Sequence, residues 1–199
     1  MTTRRHILKA GVALGVFSPL VSSQAAPAEP TATPLQVDRI LVDSRFENSR
    51  EMAERLQGAG LSVIELPRDV LTLWHDEVLP DLRTGRIAAL GGVTSEVSLF
   101  LLRTLAADHR LRVVYQTVHS NGGQGVVSHR MSGRSPTLSP LAAAVHEPDW
   151  RRRFAEAFFA CHNSGRSARR TLLTAAPARG AVEQPLVSWV LAAAVSAHS

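Results

Sequence analysis

The sequence has very few cysteines, lysines and aromatic residues, and each shortage excludes a class of protein. Cys161 is the only cysteine, so the fold must be stable without an internal disulfide. No cysteine cluster and no pair of histidines at helical spacing occurs, so we expect no metal site, and no motif indicates a bound cofactor. No segment after the N-terminal region reaches 18 uninterrupted apolar residues, so we expect no membrane anchor in the mature protein.

Almost all of the positive charge is arginine, since Lys9 is the only lysine, and the formal net charge is +5. Arginines cluster at residues 151–153 and 166–170. Aromatic side chains do not interleave with these clusters, as they would in a protein that binds single-stranded nucleic acid by base stacking. We interpret the clusters as solvated helix faces and expect no nucleic-acid partner.

The N-terminus resembles a twin-arginine (Tat) export signal. Residues 3–9, TRRHILK, match its pattern of Ser or Thr, the pair Arg4 and Arg5, any residue, a bulky apolar residue, Leu and Lys. Residues 10–20 are uncharged and too short to cross roughly 30 Å of hydrocarbon, and small residues suited to cleavage follow at 23–25 and at 26–28. The resemblance implies that residues 1–25 are a cleaved signal peptide, that the Tat translocase is a partner during export, and that the mature chain is periplasmic or secreted.

Removing this signal changes the interpretation of the rest of the chain. Arg4, Arg5 and Lys9 leave with it, so the net charge of the mature part falls to about +2. Residues 26–36 are rich in proline and alanine and are typical of a flexible spacer. Residues 37–199 have the length of one domain with a substantial core.

Apolar runs alternate with segments of helical periodicity between residues 39 and 118. Strands are predicted at 39–43, 61–66, 86–90 and 111–118. Helices are predicted between them, with caps at Asn48, Asp69 and either Thr94 or Ser95. This alternation predicts an α/β fold, a single three-layer, Rossmann-like or flavodoxin-like domain with a mostly parallel sheet.

The pattern changes after residue 118. An Asn-Gly-Gly turn at residues 121–123 between two apolar runs predicts a hairpin that adds an antiparallel edge. A helix is predicted to open at Pro148, and residues 163–180 are predicted to be a loop. Residues 186–191 suit a last strand, although the alanine-rich continuation also permits a helix. The mature part resembles small exported bacterial α/β proteins of uncharacterised activity, and this resemblance carries no function with it.

In an open parallel sheet, ligands lie beyond the carboxyl ends of the strands, and this rule selects the candidate site residues. They follow the first, third and fourth predicted strands: Asp43, Ser44, Arg45, Phe46, Gly91, Gly92, Thr94, Ser95 and His119. Asp43, Ser44 and Arg45 could hold a polar ligand beneath Phe46, or serve as ordinary loop and cap residues.

The predicted turn at Gly91 and Gly92, followed by a helix start, resembles a weak anion cradle. Glu96 in the first helical turn competes with an anion for the same backbone donors, so simple capping is favoured there. His119, at a strand end beside the glycine-rich turn, is the best general-base candidate among the eight histidines.

These features predict a binding domain more readily than an enzyme. The leading hypothesis is an exported α/β domain that binds a small ligand or serves as accessory partner of another exported protein. Since the Tat route carries folded proteins, a co-exported cofactor-bearing enzyme is a possible partner. The alternative is a small periplasmic hydrolase or isomerase-like enzyme that uses His119 with Asp43 or Ser44.

Overall fold

A computed structural model describes residues 33–58, 60–123, 126–147, 151, 153, 155, 162–163, 169–177 and 185–193. The signal peptide inferred for residues 1–25, and residues 26–32 of the predicted spacer, lie outside this range. Among the described residues, no helix combines the length and the apolar character needed to cross a bilayer.

Strands and helices alternate through the first half of the chain, and strands dominate the second half. The strands are β1 (Thr33–Pro34), β2 (Arg39–Val42), β3 (Val63–Glu65), β4 (Ala89–Thr94), β5 (Leu111–Gly123), β6 (Val126–Arg134), β7 (His162–Asn163), β8 (Arg169–Pro177) and β9 (Leu186–Ala193). The helices are α1 (Glu47–Gly58), α2 (Val70–Leu73), α3 (Leu79–Arg83), α4 (Glu96–Ala107) and α5 (Ser135–Ala144), and a π-helical turn, Trp74–Val78, joins α2 to α3.

Two of the predicted helix caps form as the sequence indicates. The Asp69 carboxylate accepts hydrogen bonds from the backbone N–H groups of Leu71 and Thr72 at the start of α2. The Ser95 hydroxyl accepts one from the N–H of Ser98 at the start of α4, so Ser95 rather than Thr94 is the cap. These local signals explain why α2 and α4 begin near their predicted positions. The third predicted cap is wrong, because α1 begins at Glu47 and Asn48 lies inside it.

Seven strands form one mixed sheet in the order β3-β2-β4-β9-β5-β6-β8, while β1 pairs with β7 in a separate two-stranded sheet. β2 is parallel to β3 and to β4, and the other pairings described in this sheet are antiparallel. The α/β class is therefore confirmed, but the prediction of a mostly parallel, Rossmann-like sheet is wrong. The physical reason is β9, an apolar strand buried on both faces, which inserts between β4 and β5 and runs antiparallel to both.

Four further predictions concern single segments. The predicted turn at Gly91–Gly92 is wrong, because β4 continues through both glycines to Thr94. The predicted loop at 163–180 is wrong for residues 169–177, which pair with β6 as the edge strand β8. The predicted hairpin is confirmed by the β5–β6 pairing, but residues 121–123 belong to β5 and not to the turn. Residues 186–193 are a strand and not a helix.

Helices pack against both faces of the sheet. We call the side covered by α1 and α5 the histidine face, which includes Tyr115, His129 and Val190. We call the side covered by α2, the π-helical turn, α3 and α4 the tryptophan face, which includes Trp189 and Val118. Because side chains alternate along a strand, neighbours in β5 and β9 contribute to opposite faces.

The strands of the first half still run in one direction. β4 and β5 are both antiparallel to the strand between them, so β5 points the same way as β2 and β4. Thr94 and Val118 lie on either side of Val187, and Asp43 directly follows the end of β2. The carboxyl ends of β2 and β4 therefore lie level with Val118. However, β5 continues to Gly123, so His119 lies inside this strand and not at its end as predicted, and β4 and β5 are not neighbours.

Candidate functional site

The loop after β2 is held by an ion pair inside the loop itself. Arg45 donates from Nε and Nη2 to the two carboxylate oxygens of Asp43, at 2.8 and 2.6 Å. Asp43 is completely buried, and its hydrogen bond and charge raise the pKa of Arg45. The Arg45 guanidinium carbon also lies 5.8 Å from the centre of the Phe46 ring. These contacts order the loop. They agree with the interpretation of Asp43 and Arg45 as ordinary loop residues.

Ser44 lies in the same loop but contacts a different strand. Its hydroxyl donates to the Glu65 carboxylate at the end of β3, at 3.3 Å and exposed to solvent. The hydrogen bonds observed for Asp43 and Ser44 thus go to Arg45 and Glu65. The structure does not show the contact with His119 that the enzyme alternative required.

Gly92 in β4 makes room for an aromatic ring rather than an anion. The indole of Trp189 lies against Gly92, so that a Cβ at this position would overlap the ring. The indole Nε1–H donates to the Thr94 hydroxyl at 3.0 Å, and that hydroxyl donates to the Ser95 carbonyl at 3.1 Å. Gly91 lies inside the same strand, between Ile40 and Val190. The residues expected to bind an anion instead take part in side-chain packing and helix capping.

His119 lies on the histidine face and belongs to a buried chain of hydrogen bonds. Its Nδ1 lies 2.9 Å from Nδ1 of His129, and its Nε2 lies 2.8 Å from the Ser188 hydroxyl. The two rings meet edge to face, with an interplanar angle of 84°. Because β9 lies beside β5, residues 69 positions apart in sequence come into contact. We call His119, His129 and Ser188 the histidine network.

Burial keeps both imidazoles neutral at pH 7. It lowers the pKa of His119 well below 6.5, and the nearby charges of His129 and Arg151 lower it further. Burial also lowers the pKa of His129 to about 4, with a smaller contribution from His146. His146 itself hydrogen-bonds Thr174 through Nε2 at 2.9 Å, nearer the surface. A protonated imidazole is therefore costly at this position.

The connectivity of the histidine network is that of a nucleophile, a base and an orienting group. His119 can accept the Ser188 proton through Nε2 while Nδ1 remains bonded to His129. However, His119 is only 2% exposed, and Ser188 and His129 are completely buried. A substrate cannot reach the hydroxyl in this conformation, so the network serves first to satisfy buried polar groups.

A solvent-accessible groove of about 310 Å³ lies on the other side of the sheet, between α4 and β5. It is lined by Arg103, Ala107, Leu111, Arg112, Val113 and Gln116. Arg112 donates from Nη1 to the carbonyls of Ala107 and Leu111, which holds its side chain across the end of α4. The Arg103 guanidinium carbon lies 5.6 Å from the centre of the Phe100 ring. We call this the arginine groove.

Sequence reasoning missed both the arginine groove and Ser188. Arginines at positions 103, 110 and 112, close to the predicted end of a helix, were a signal for the groove. No local signal points to Ser188, because its partner is set by strand order. Within the described part of the chain, no group of three or more His, Cys, Asp or Glu side chains could hold a metal ion. Cys161 lies outside that part.

No protein-family model matches this chain, and searches of curated proteins and of solved structures found no similar protein.

Proposed function

We propose that this chain is exported by the twin-arginine route and acts outside the cytoplasm as a binding domain, for a small ligand or as accessory partner of another exported protein. The export signal at residues 3–9 supports the location. The burial of the histidine network favours binding over catalysis, because the nucleophile and base are closed to substrate.

The observation that carries the binding proposal is the outer surface of α4. Val97, Phe100 and Leu101 are 71%, 56% and 37% exposed. Their spacing of three and four residues makes them neighbours on the helix. The opposite side of α4 already packs on the tryptophan face, so the fold does not need these exposed side chains. Adjacent exposed apolar side chains are typical of a surface that binds another molecule.

The shape of this surface favours the accessory role. A convex helix beside an open groove suits a protein partner better than a small molecule, which usually binds in an enclosed cavity. The Tat route carries folded proteins, so a co-exported enzyme with its own cofactor is the partner that we propose.

Export is tested by replacing both signal arginines. With Arg4→Lys and Arg5→Lys together, the precursor should stay in the cytoplasm, because the receptor reads the paired guanidinium groups. Cell fractionation and immunoblotting measure the distribution. Unchanged export of the double variant would refute the Tat route. A Sec substrate that lacks its signal peptide stays in the cytoplasm, so its appearance in the periplasmic fraction of the same cells reports lysis.

Partner binding is tested with an affinity-tagged chain recovered from the periplasm. Mass spectrometry identifies co-purifying proteins and bound small molecules. Phe100→Ser should abolish recovery of the specific partner, because it removes the central apolar contact of α4. Leu173→Ser is the matched control, since Leu173 is 75% exposed but lies on the edge strand β8. Equal recovery with both variants would refute α4 as the binding surface.

A small hydrolase is the second candidate, and the 2.8 Å contact between Ser188 and His119 favours it. Catalysis would require the covering layer of the histidine face to open. A panel of small esters and amides tests this directly with the purified chain. Turnover that Ser188→Ala abolishes, while circular dichroism shows an intact fold, would replace the binding proposal by the enzyme.

A further inference from the structure

The arginine groove carries positive charge that its surroundings do not neutralise. Among the described residues, neither Arg103 nor Arg112 forms an ion pair. Other arginines of the domain do: Arg45 pairs with Asp43, and Arg86 pairs with Asp81. Two guanidinium groups thus line one groove, and no carboxylate is among the residues that line it.

One of the two arginines has a structural explanation and the other does not. Arg112 binds backbone carbonyls at the end of α4, where a cation is also favoured by the helix dipole. Arg103 lies one turn earlier and is exposed, and its described contact is with the ring of Phe100. That contact uses none of the N–H donors of the guanidinium. Arg103 is thus oriented but retains its capacity to bind an anion.

Apolar surface adjoins this charge on both sides. Inside the groove it comes from Ala107 and Val113, and outside it comes from the half-exposed ring of Phe100. A guanidinium binds a carboxylate through two parallel hydrogen bonds, and the neighbouring apolar side chains exclude water from such a pair. Gln116 adds a neutral amide that can bind a peptide backbone group.

We propose that the arginine groove binds an acidic peptide segment of a partner protein, with an Asp or Glu side chain on Arg103 and an adjacent apolar or aromatic side chain against Phe100. This inference rests on the proposed binding function and names the chemistry of its partner. A peptide fits better than a small carboxylate because the exposed apolar surface of α4 continues beyond the groove to Val97 and Leu101.

The test uses a phage-displayed library of random linear peptides selected on the purified chain. Peptides that bind should be enriched in Asp or Glu next to an aromatic or aliphatic residue. Their affinity, measured by fluorescence anisotropy, should fall about tenfold or more with Arg103→Gln, because a charge-assisted pair is lost. Arg103 is the residue to change, since replacing Arg112 would also disturb the end of α4.

The matched control is Arg50→Gln. Arg50 is also an exposed arginine on a helix, but it lies on α1 and therefore on the other side of the sheet. This variant should bind the selected peptides like the wild type, and replacing the acidic peptide residue by its amide should reproduce the loss seen with Arg103→Gln. Affinity should also fall with added salt.

Three results would overturn the proposal: selected peptides without an acidic residue, equal losses with Arg103→Gln and Arg50→Gln, or complete displacement of the peptide by benzoate, which would assign the groove to small carboxylates. Failure here is distinguishable from failure of the binding function. If partner recovery depends on Phe100 but not on Arg103, the function stands and only the acidic-peptide inference is wrong.

Discussion

The two faces of the sheet bury polar side chains in different ways. On the tryptophan face, the indole N–H of Trp189 donates to Thr94, and neither group ionises near neutral pH. On the histidine face, His119 connects His129 to Ser188, and two of the three groups can accept a proton. The first arrangement is therefore insensitive to pH, whereas the second depends on both imidazoles staying neutral.

Both arrangements depend on one strand. Trp189 and Ser188 are neighbours in β9, and they point to opposite faces because side chains alternate along a strand. Each forms a hydrogen bond to a residue of an adjacent strand, Thr94 of β4 or His119 of β5. The central strand therefore satisfies buried polar groups on both faces of the sheet, with groups that do not titrate on one face and with imidazoles on the other.

The largest effect is expected on the tryptophan face, from Gly92→Ala. The added Cβ overlaps the Trp189 ring, so the ring must move and its bond to Thr94 must break. We expect a loss of about 3 kcal/mol in the free energy of unfolding, measured by urea denaturation. Gly58→Ala is the control, because nothing lies within 4 Å of a Cβ there and alanine favours a helix. Equal stability of the two variants would contradict the packing role of Gly92.

The stability that the histidine face contributes should depend on pH, whereas the stability that the tryptophan face contributes should not. Between about pH 4 and 6.5 the unfolded chain binds protons that His129 in the folded state does not, because burial lowers its pKa from 6.5 to about 4. Stability should therefore rise with pH across this interval and become independent of these groups above it. The limiting slope is about 1.4 kcal/mol per pH unit for one histidine that is protonated only in the unfolded state.

Urea denaturation at a series of pH values measures this slope. His129→Gln should flatten it, whereas His75→Gln should leave it unchanged, because His75 is exposed on the π-helical turn. If the wild type and His129→Gln lose stability in parallel as the pH falls from 6.5 to 4, the histidine network is not the origin of the pH dependence.

The smallest of the three effects is expected from a pair of serine variants, with one serine on each side of the sheet. Ser188→Ala removes the buried hydroxyl that bonds His119 and should cost about 1 to 3 kcal/mol. Ser132→Ala removes a hydroxyl whose bond to Thr171 is exposed, and it should cost less than about 0.5 kcal/mol. Thermal and urea unfolding of both variants measure the difference. A loss no larger at Ser188 than at Ser132 would show that the network contributes little stability.

The elements of the first half could be predicted because their signals are local. Asp69 and Ser95 cap helices through bonds to residues two or three positions away, and short apolar runs mark β2 and β4. The edge strand β8 was missed for the opposite reason. Its side chains are largely exposed, as with Leu173, so its sequence does not show the apolar pattern of a buried strand.

The candidate site was predicted less well than the fold. The rule for parallel sheets expected Asp43 and His119 at strand ends, but whereas Asp43 directly follows β2, His119 lies inside β5. The rule also could not tell which face each side chain occupies or which partner it meets. Thr94 belongs to the tryptophan face and His119 to the histidine face, so the two do not form one cleft. The face of a residue depends on register, and the register of β5 shifts between Val113 and Tyr115.

The sequence by itself determined the α/β class, the direction of the strands of the first half and the caps of two of its helices, because periodicity, capping and short connections act over a few residues. Only the tertiary structure decided that β9 lies between β4 and β5. That choice follows from the apolar area which a doubly buried strand removes from water, summed over contacts between distant segments. It made most of the sheet antiparallel and joined His119 to Ser188 within the core.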